Sequence, residues 1–251
     1  MIYNPFSLEG KTILVTGASS GIGQGCALMA SKLGAKVIVC GRNEERIQET
    51  IQSLEGEGHI AFAGDLTEAS IIEKLVEETP TLDGAVFSAG ITMTAPFTFS
   101  TREKFDKVFN VNFFSPIELL RLLVKKKKLV SGGSAVFISS IGGNFVSSVG
   151  NCIYGASKAS LNSMVKVCAL ELAPKKIRVN AICPGMVETA LVKKFSENIT
   201  AEDMQKDLAL YPLKRYGQPE DIAGGVVYLL SNASSWVTGQ AMCIDGGITA
   251  Y

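Results

Sequence analysis

Short apolar runs alternate along the chain with longer stretches whose apolar residues recur at helical spacing. The runs at 12–16, 36–40, 60–63, 83–88, 134–140, 177–183 and 241–244 are rich in Val, Ile, Ala and Phe. They are too short for helices and read as strands. In the first helical stretch Cys26, Ala27, Met29, Ala30 and Leu33 share one face, and Gly34 stops it. Residues 44–54 form a polar-faced second helix, and Thr67 reads as the N-cap of a third that runs to about Thr79. A long helical region covers 101–128, where Pro116 predicts a kink or break near 112–115. A strongly amphipathic helix spans 154–173 before Pro174, and a last one spans 219–230 with Glu220 and Asp221 at its dipole-positive start. Continuously apolar strands, each followed by a helix, predict an α/β fold with one doubly wound parallel sheet of about seven strands and helices on both faces.

Residues 11–25 start this pattern as strand, glycine turn and helix, the opening half of a βαβ unit. Gly17, Gly21 and Gly23 stand among the small residues Ala18, Ser19 and Ser20, and Ile22 opens the helix. Such a turn lets backbone approach a pyrophosphate, and the helix N-terminus offers it free N–H groups and a positive dipole end. The spacing from Thr16 is T-G-x-x-x-G-x-G, which is neither G-x-G-x-x-G nor a P-loop. The Ser88-Ala89-Gly90 turn closes the fourth strand, and Pro184-Gly185 closes the sixth. In a doubly wound sheet, ligands collect at these carboxyl ends.

Composition narrows the function. The 251 residues suit a single domain, 1–251, with no linker-like break. Net charge is zero, which gives nucleic acid no basic surface to attract it. The basic run at 125–128 reads as the solvated C-terminal turn of a helix. No apolar run is long enough to span a membrane, so no membrane partner is expected. Six single cysteines without C-x-x-C spacing read as free thiols of a reducing compartment, placing the protein in the cytoplasm. No cluster has metal-ligand spacing, so no metal is expected, and the lone His59 reads as a surface loop residue.

Candidate chemistry gathers late in the chain. Tyr154 and Lys158 lie one helical turn apart on one face. Ser140 ends the fifth strand, with Ser139 expected to point to the opposite face, and Asn112 lies at the predicted kink. A nearby ammonium lowers the pKa of a tyrosine, letting it exchange a proton with a carbonyl or alcohol oxygen near neutral pH.

The T-G-x-x-x-G-x-G turn together with Asn112, Ser140 and Tyr154-x-x-x-Lys158 resembles the short-chain dehydrogenase/reductase family, and matched motifs run from Thr16 to Gly247. The resemblance implies a Rossmann-type fold, a catalytic set of Asn112, Ser140, Tyr154 and Lys158, and a homotetramer paired through the last strand and helix. In it Ser140 holds the reacting oxygen, Lys158 also reaches the cofactor ribose, and Asn112 supports Lys158 through water. It implies a cofactor site of Gly17, Ser19, Ser20, Gly21, Ile22, Gly23, Arg42, Asp65, Leu66, Ala89, Gly90, Tyr154, Lys158, Pro184, Gly185, Val187 and Thr189. Asp65 would meet the adenine amino group and Thr189 the nicotinamide carboxamide. Phe87 and Ser88 replace the two asparagines of the family's N-N-A-G turn.

The second strand ends in Gly41-Arg42-Asn43, with no carboxylate for an NAD ribose, and Arg42 is suited to a 2′-phosphate. NADP is therefore the expected cofactor, with NAD the alternative. The expected activity is NADP(H)-dependent reduction of a ketone or oxidation of a secondary alcohol. A 3-oxoacyl thioester is the favoured substrate, and sugar, polyol and hydroxysteroid dehydrogenases are alternatives. A dinucleotide-sensing binding protein is the non-enzymatic alternative, but it would have no need to keep both Tyr154 and Lys158. The substrate pocket is expected from 91–99, 141–152 and 186–210, made partly apolar by Phe97, Phe99, Phe145, Met186, Leu191 and Phe195, with 187–211 as a substrate lid.

Overall fold

The computed structural model of the chain describes residues 4–189 and 200–250. Seven parallel strands form one sheet: β1 (Thr12–Thr16), β2 (Lys36–Gly41), β3 (Ile60–Ala63), β4 (Leu82–Phe87), β5 (Leu129–Ile138), β6 (Arg178–Pro184) and β7 (Ala241–Ile244). Their order is β3-β2-β1-β4-β5-β6-β7, so the direction of winding reverses between β1 and β4. Such a reversal leaves a crevice at the strands' carboxyl ends.

Alternation of side chains along the strands divides the core into two layers. Ile13 and Val15 of β1, with Val37 and Val39 of β2, face one cluster. That cluster is covered by α1 (Gly21–Lys32), through Ala27 and Ala30, and by the last helix, Pro219–Leu230. Leu14 and Ile38 face the other cluster, beneath α3 (Ala69–Glu78), α5 (Ser115–Lys125) and α7 (Cys152–Leu172). In that layer the rings of Phe87 and Phe137 stack at 4.4 Å between β4 and β5. The remaining helices are α2 (Glu44–Gln52), α4 (Arg102–Phe109), the single turn α6 (Ile141–Asn144), α8 (Ala201–Ala209) and the last helix, α9.

The expected break before Pro116 takes the form of a wide π-type turn, Asn110–Phe114, between α4 and α5. Proline lacks the N–H that would continue the regular ladder, and the Ser115 hydroxyl donates instead to the Asn110 carbonyl at 2.6 Å. The wide turn leaves Asn112 buried.

Three local expectations are corrected. β5 ends at Ile138, so Ser140 lies beyond the strand, where its hydroxyl accepts the Gly142 N–H at 3.1 Å and caps α6. Thr67 does not cap α3: its N–H and hydroxyl both donate to Asp65 Oδ1, at 2.9 and 2.8 Å, and the cap position falls to Glu68. His59 is more than a loop residue, since Val37 donates its N–H to His59 Nδ1 at 3.1 Å. With Nδ1 as acceptor, a neutral ring carries its proton on Nε2, which lies 3.0 Å from the Glu55 carbonyl.

Candidate active site

A cleft of about 1220 Å³ runs across the carboxyl ends of the strands, from Arg42 at one end to Asn151 at the other. At the first end the glycine turn is fixed by backbone contacts. Gly17 has φ +66°, and a Cβ there would come within 2.8 Å of the Ala89 backbone. A Cβ on Gly23 would run into the Gly17 carbonyl oxygen. The Ala18 N–H donates to Cys40 at 3.0 Å, tying the turn to β2. Ser20 is the N-cap of α1 but makes no side-chain cap bond. Its hydroxyl and the first N–H groups of α1 line the open cleft with Ser19, Gly21 and Ile22.

The departure at Phe87-Ser88 has a visible substitute. Thr16 Oγ1 accepts N–H groups from Ser88 and Ala89 at 3.1 and 3.3 Å, and its own proton goes to the Val86 carbonyl at 3.3 Å. One hydroxyl thus pins the turn that carries Gly90.

Beyond β2, Arg42 lies 3.9 Å from Asp65, the first largely in solvent and the second partly so. The Thr67 N–H is the chief cause of the lowered Asp65 pKa, with Arg42 a lesser one. Leu66 lines the cleft beside them, as does Arg46, which sequence reading missed. The missed signal is its place one turn after Arg42, on the first turn of α2.

At the other end the structure brings Ser140, Tyr154 and Lys158 together. The Ser140 hydroxyl lies near enough to the Tyr154 hydroxyl to favour its ionised form. Lys158 Nζ lies 5.8 Å from the Tyr154 ring centre and donates to the Ile138 carbonyl at 2.8 Å. Burial pushes the Lys158 amine down to about 8. Burial also pushes the Tyr154 hydroxyl up, against the opposing effect of Ser140. The expected depression of Tyr154 by Lys158 is not seen: burial dominates at Tyr154, and it drives Lys158 toward its neutral form.

Ser139 turns away: its hydroxyl donates to the Lys158 carbonyl at 3.1 Å, bracing α7 against β5. Asn112 grips the loop after β4. Its Oδ1 accepts the Ile91 N–H at 2.9 Å, while its Nδ2 donates to the Ile91 carbonyl and the Ser157 hydroxyl, both at 3.0 Å. A Cβ on Gly90 would lie 3.3 Å from Asn112 Oδ1 and 3.5 Å from Lys158 Nζ, so these two groups crowd the same glycine.

The wall after β6 closes the cleft. Pro184 ends the strand, the Gly185 N–H donates to Ile244 at 3.1 Å, and Val187 pairs with Gly217. A Cβ on Gly21 would lie 3.1 Å from Thr189 Cγ2, so Thr189 reaches over the glycine turn. Met186, Asp207, Leu210 and Tyr211 continue this wall. Leu191 and Phe195 lie outside the described residues. Phe97, Phe99 and Phe145 do not line the cleft and are exposed. Met93, Val111, Val146 and Ile248 supply its apolar surface instead.

A family model described as enoyl-(acyl carrier protein) reductase matches residues 17–249. The chain is 35% identical to a 3-oxoacyl-[acyl-carrier-protein] reductase of Thermotoga maritima, over 96% of this chain and 98% of that protein. This chain belongs to the short-chain dehydrogenase/reductase family. It is also 34% identical to a tropinone reductase homolog of Arabidopsis thaliana, over 97% of this chain and 94% of that one. A solved structure from Beutenbergia cavernae, assigned as an NAD(P)-dependent gluconate 5-dehydrogenase and holding NADP, superposes with a TM-score of 0.88 at 31% identity. That superposition covers 99% of this chain and 100% of the other.

As a member of this family the protein is an oxidoreductase that uses a nicotinamide dinucleotide. Its own residues fit that cofactor. The backbone is packed too closely at Gly17 and Gly23 for any side chain, the first N–H groups of α1 line the cleft, and that same cleft reaches Tyr154 and Lys158. Among the described residues no His/Cys/Asp/Glu group could hold a metal, and no helix is long and apolar enough to cross a membrane.

Proposed function

We propose that this protein is an NADP(H)-dependent ketoreductase whose substrate is a 3-oxoacyl thioester. The grouping of Ser140 and Tyr154 on one cleft beside buried Lys158 carries this reading. A dinucleotide held in the cleft would supply or accept the hydride. Tyr154 gives its hydroxyl proton to the ketone oxygen, or takes one from the alcohol in the reverse direction. Ser140 donates a hydrogen bond to the same oxygen and fixes its position. Lys158, charged below about pH 8, stabilises the phenolate left on Tyr154 and would hold the ribose hydroxyls. Asn112 holds Ile91 and the Ser157 hydroxyl and so keeps the floor of the site in place.

Arg42 supports the NADP preference, with Arg46 as a second cation at the same end of the cleft. Reduction of a 3-oxoacyl group on acyl carrier protein is the activity named for the Thermotoga relative, and a partly apolar substrate end accommodates an acyl chain. A sugar acid is the second reading, because of the likeness to a gluconate 5-dehydrogenase. It is disfavoured because Lys158 is the one cation among the described residues lining that end. Residues 187–211 serve as the substrate lid over the single 1–251 unit. Lys193, Lys194, Glu197 and Asn198 of that lid lie outside the described residues.

The protein works as a cytoplasmic homotetramer. Its six free cysteines suit a reducing compartment. The β7 edge of the sheet, the 99% exposed Trp236, and Leu170 on α7 leave apolar surface that subunit pairing would cover. A substrate panel tests the proposal: acetoacetyl-coenzyme A, gluconate and a ring ketone, each with NADPH/NADP and NADH/NAD. Turnover of the thioester with NADPH as the best pair is expected; turnover of gluconate alone would overturn the substrate assignment.

A further inference from the structure

Asn151 stands at the start of α7 and lines the cleft. Asparagine is among the best helix N-caps because its side chain can accept an N–H from the first turn. Here it does not: its backbone, at φ −98° and ψ 13°, lies outside the extended region that capping uses, and the side chain makes no cap bond. Helix α7 is secured through the backbone instead, with the Gly155 N–H donating to the Asn151 carbonyl at 2.8 Å. The Asn151 amide has no hydrogen-bond partner among the described residues. The amide faces the open cleft and is not enclosed, so it stands available to donate to whatever occupies that part of the cleft.

Its position defines what that something is. A Cβ on Gly142 would lie 3.1 Å from Asn151 Nδ2 and 3.4 Å from Ser140 Oγ. The amide and the hydroxyl therefore flank Gly142 on the wall of one cavity. A 3-oxoacyl thioester carries two carbonyl oxygens, on carbons separated by a single methylene. With the ketone oxygen on Ser140 and Tyr154, the thioester oxygen falls on the neighbouring part of the wall.

We infer that Asn151 is a specificity residue that donates a hydrogen bond from its side-chain amide to the second carbonyl of a 1,3-dicarbonyl substrate. This inference rests on the thioester reading above. Two anchored oxygens stop rotation between the carbonyl carbons, so one face of the ketone is held toward the dinucleotide side of the cleft. A mono-ketone gains only the Ser140–Tyr154 anchor and leaves the amide unpaired.

The test compares acetoacetyl-N-acetylcysteamine with its thioether analogue, in which a methylene replaces the thioester carbonyl and the ketone is kept. Asn151→Ala removes the donor, while Asn151→Asp keeps the shape and puts a hydrogen-bond acceptor in its place. Each variant should lower the ratio of kcat/KM for the thioester over the thioether ketone by about five- to tenfold, mostly through KM, as expected for one hydrogen bond. Melting temperature and calorimetric NADPH affinity show whether each variant has folded; Asn151→Asp carries the test where Asn151→Ala has not. An unchanged ratio, or equal losses on both substrates, would overturn the role of Asn151. A wild-type protein that reduces the thioether ketone but not the thioester would overturn the substrate reading itself, and this inference with it.

Discussion

At the glycine-turn end of the cleft, backbone meets backbone. Gly17 sits against Ala89, Gly23 against the Gly17 carbonyl, and Ala18 is bonded to Cys40. At the Tyr154 end, by contrast, side chains and their hydrogen bonds set the geometry, on walls built from the loops after β4, β5 and β6. Three strand spacings, or roughly 14 Å, separate β2 from β5 across the sheet. A backbone-built site accepts a common ligand in one way, and the residues that permit it are glycines at fixed spacing. A side-chain-built site is tuned one residue at a time, so relatives with one fold act on different carbonyls.

The largest expected effect tests whether the second end is a chemical site at all. Tyr154→Phe removes one hydroxyl and should lower turnover by about two to four decades, the size of a general acid–base contribution. Calorimetric affinity for the dinucleotide and the melting temperature should change little. Near-normal turnover would leave the Ser140–Tyr154 pair without a catalytic role. Gly23→Ala tests the first end, because the added methyl meets a backbone oxygen and no flexible side chain can yield to it. A loss of about 3–5 kcal/mol in denaturant unfolding, accompanied by loss of dinucleotide binding, is expected. Wild-type stability and affinity in that variant would show that the turn is not packed as described.

The same contrast explains what the sequence disclosed. Strand and helix order followed from apolar periodicity, because buried parallel strands leave little choice of residue. The glycine turn was legible for a related reason: only glycine fits at Gly17 and Gly23. Tyr154 and Lys158 could be placed on one helix face from their spacing alone. Arg46 escaped notice, and Asn151 was not singled out within the expected pocket stretch 141–152, because each looks like an ordinary residue at a helix start and only the fold shows the cleft beside it. Phe97 and Phe99 misled for the opposite reason, since their apolar character suggests a pocket wall whereas the short turn Phe97–Phe99 presents them to solvent. Burial likewise decided the proton affinities, raising Tyr154 and lowering Lys158 in a way that spacing cannot reveal.

That burial can be measured through stability. The Lys158 amine titrates near 8 in the folded protein, against 10.5 ordinarily. Below pH 8 both folded and unfolded chains carry the charge, and the cost of burying it is felt in full. Between about 8 and 10.5 the unfolded chain holds a proton that the folded chain has released, so folding becomes more favourable as pH rises. Lys158→Met has no such group. The stability of the wild type minus that of the variant should therefore climb by up to about 3 kcal/mol across this window. Buried thiols such as Cys26 and Cys40 weaken both proteins alike at high pH, and the subtraction removes them. A flat difference would mean that Lys158 is not desolvated as the structure indicates.

The smallest effect concerns cofactor choice at the first end. Arg42 is largely exposed, and its pairing with Asp65 at 3.9 Å is too long and too wet to hold it rigidly. It is thus free to turn toward a 2′-phosphate, which offers more charge than the Asp65 carboxylate. A charge-assisted bond contributes about 1.5–3 kcal/mol at best, and solvent screening places this one near the lower limit, about tenfold. Arg42→Ala should accordingly reduce the ratio of kcat/KM with NADPH over that with NADH by about tenfold. Added salt should shrink the wild-type ratio toward that of the variant, since a solvated contact is screened. Arg46→Ala reports on the second cation, and a double variant that loses more than the sum of the two single changes would show that the arginines share one phosphate. A ratio unmoved by Arg42→Ala would remove Arg42 from cofactor selection and leave this end of the cleft built by backbone alone.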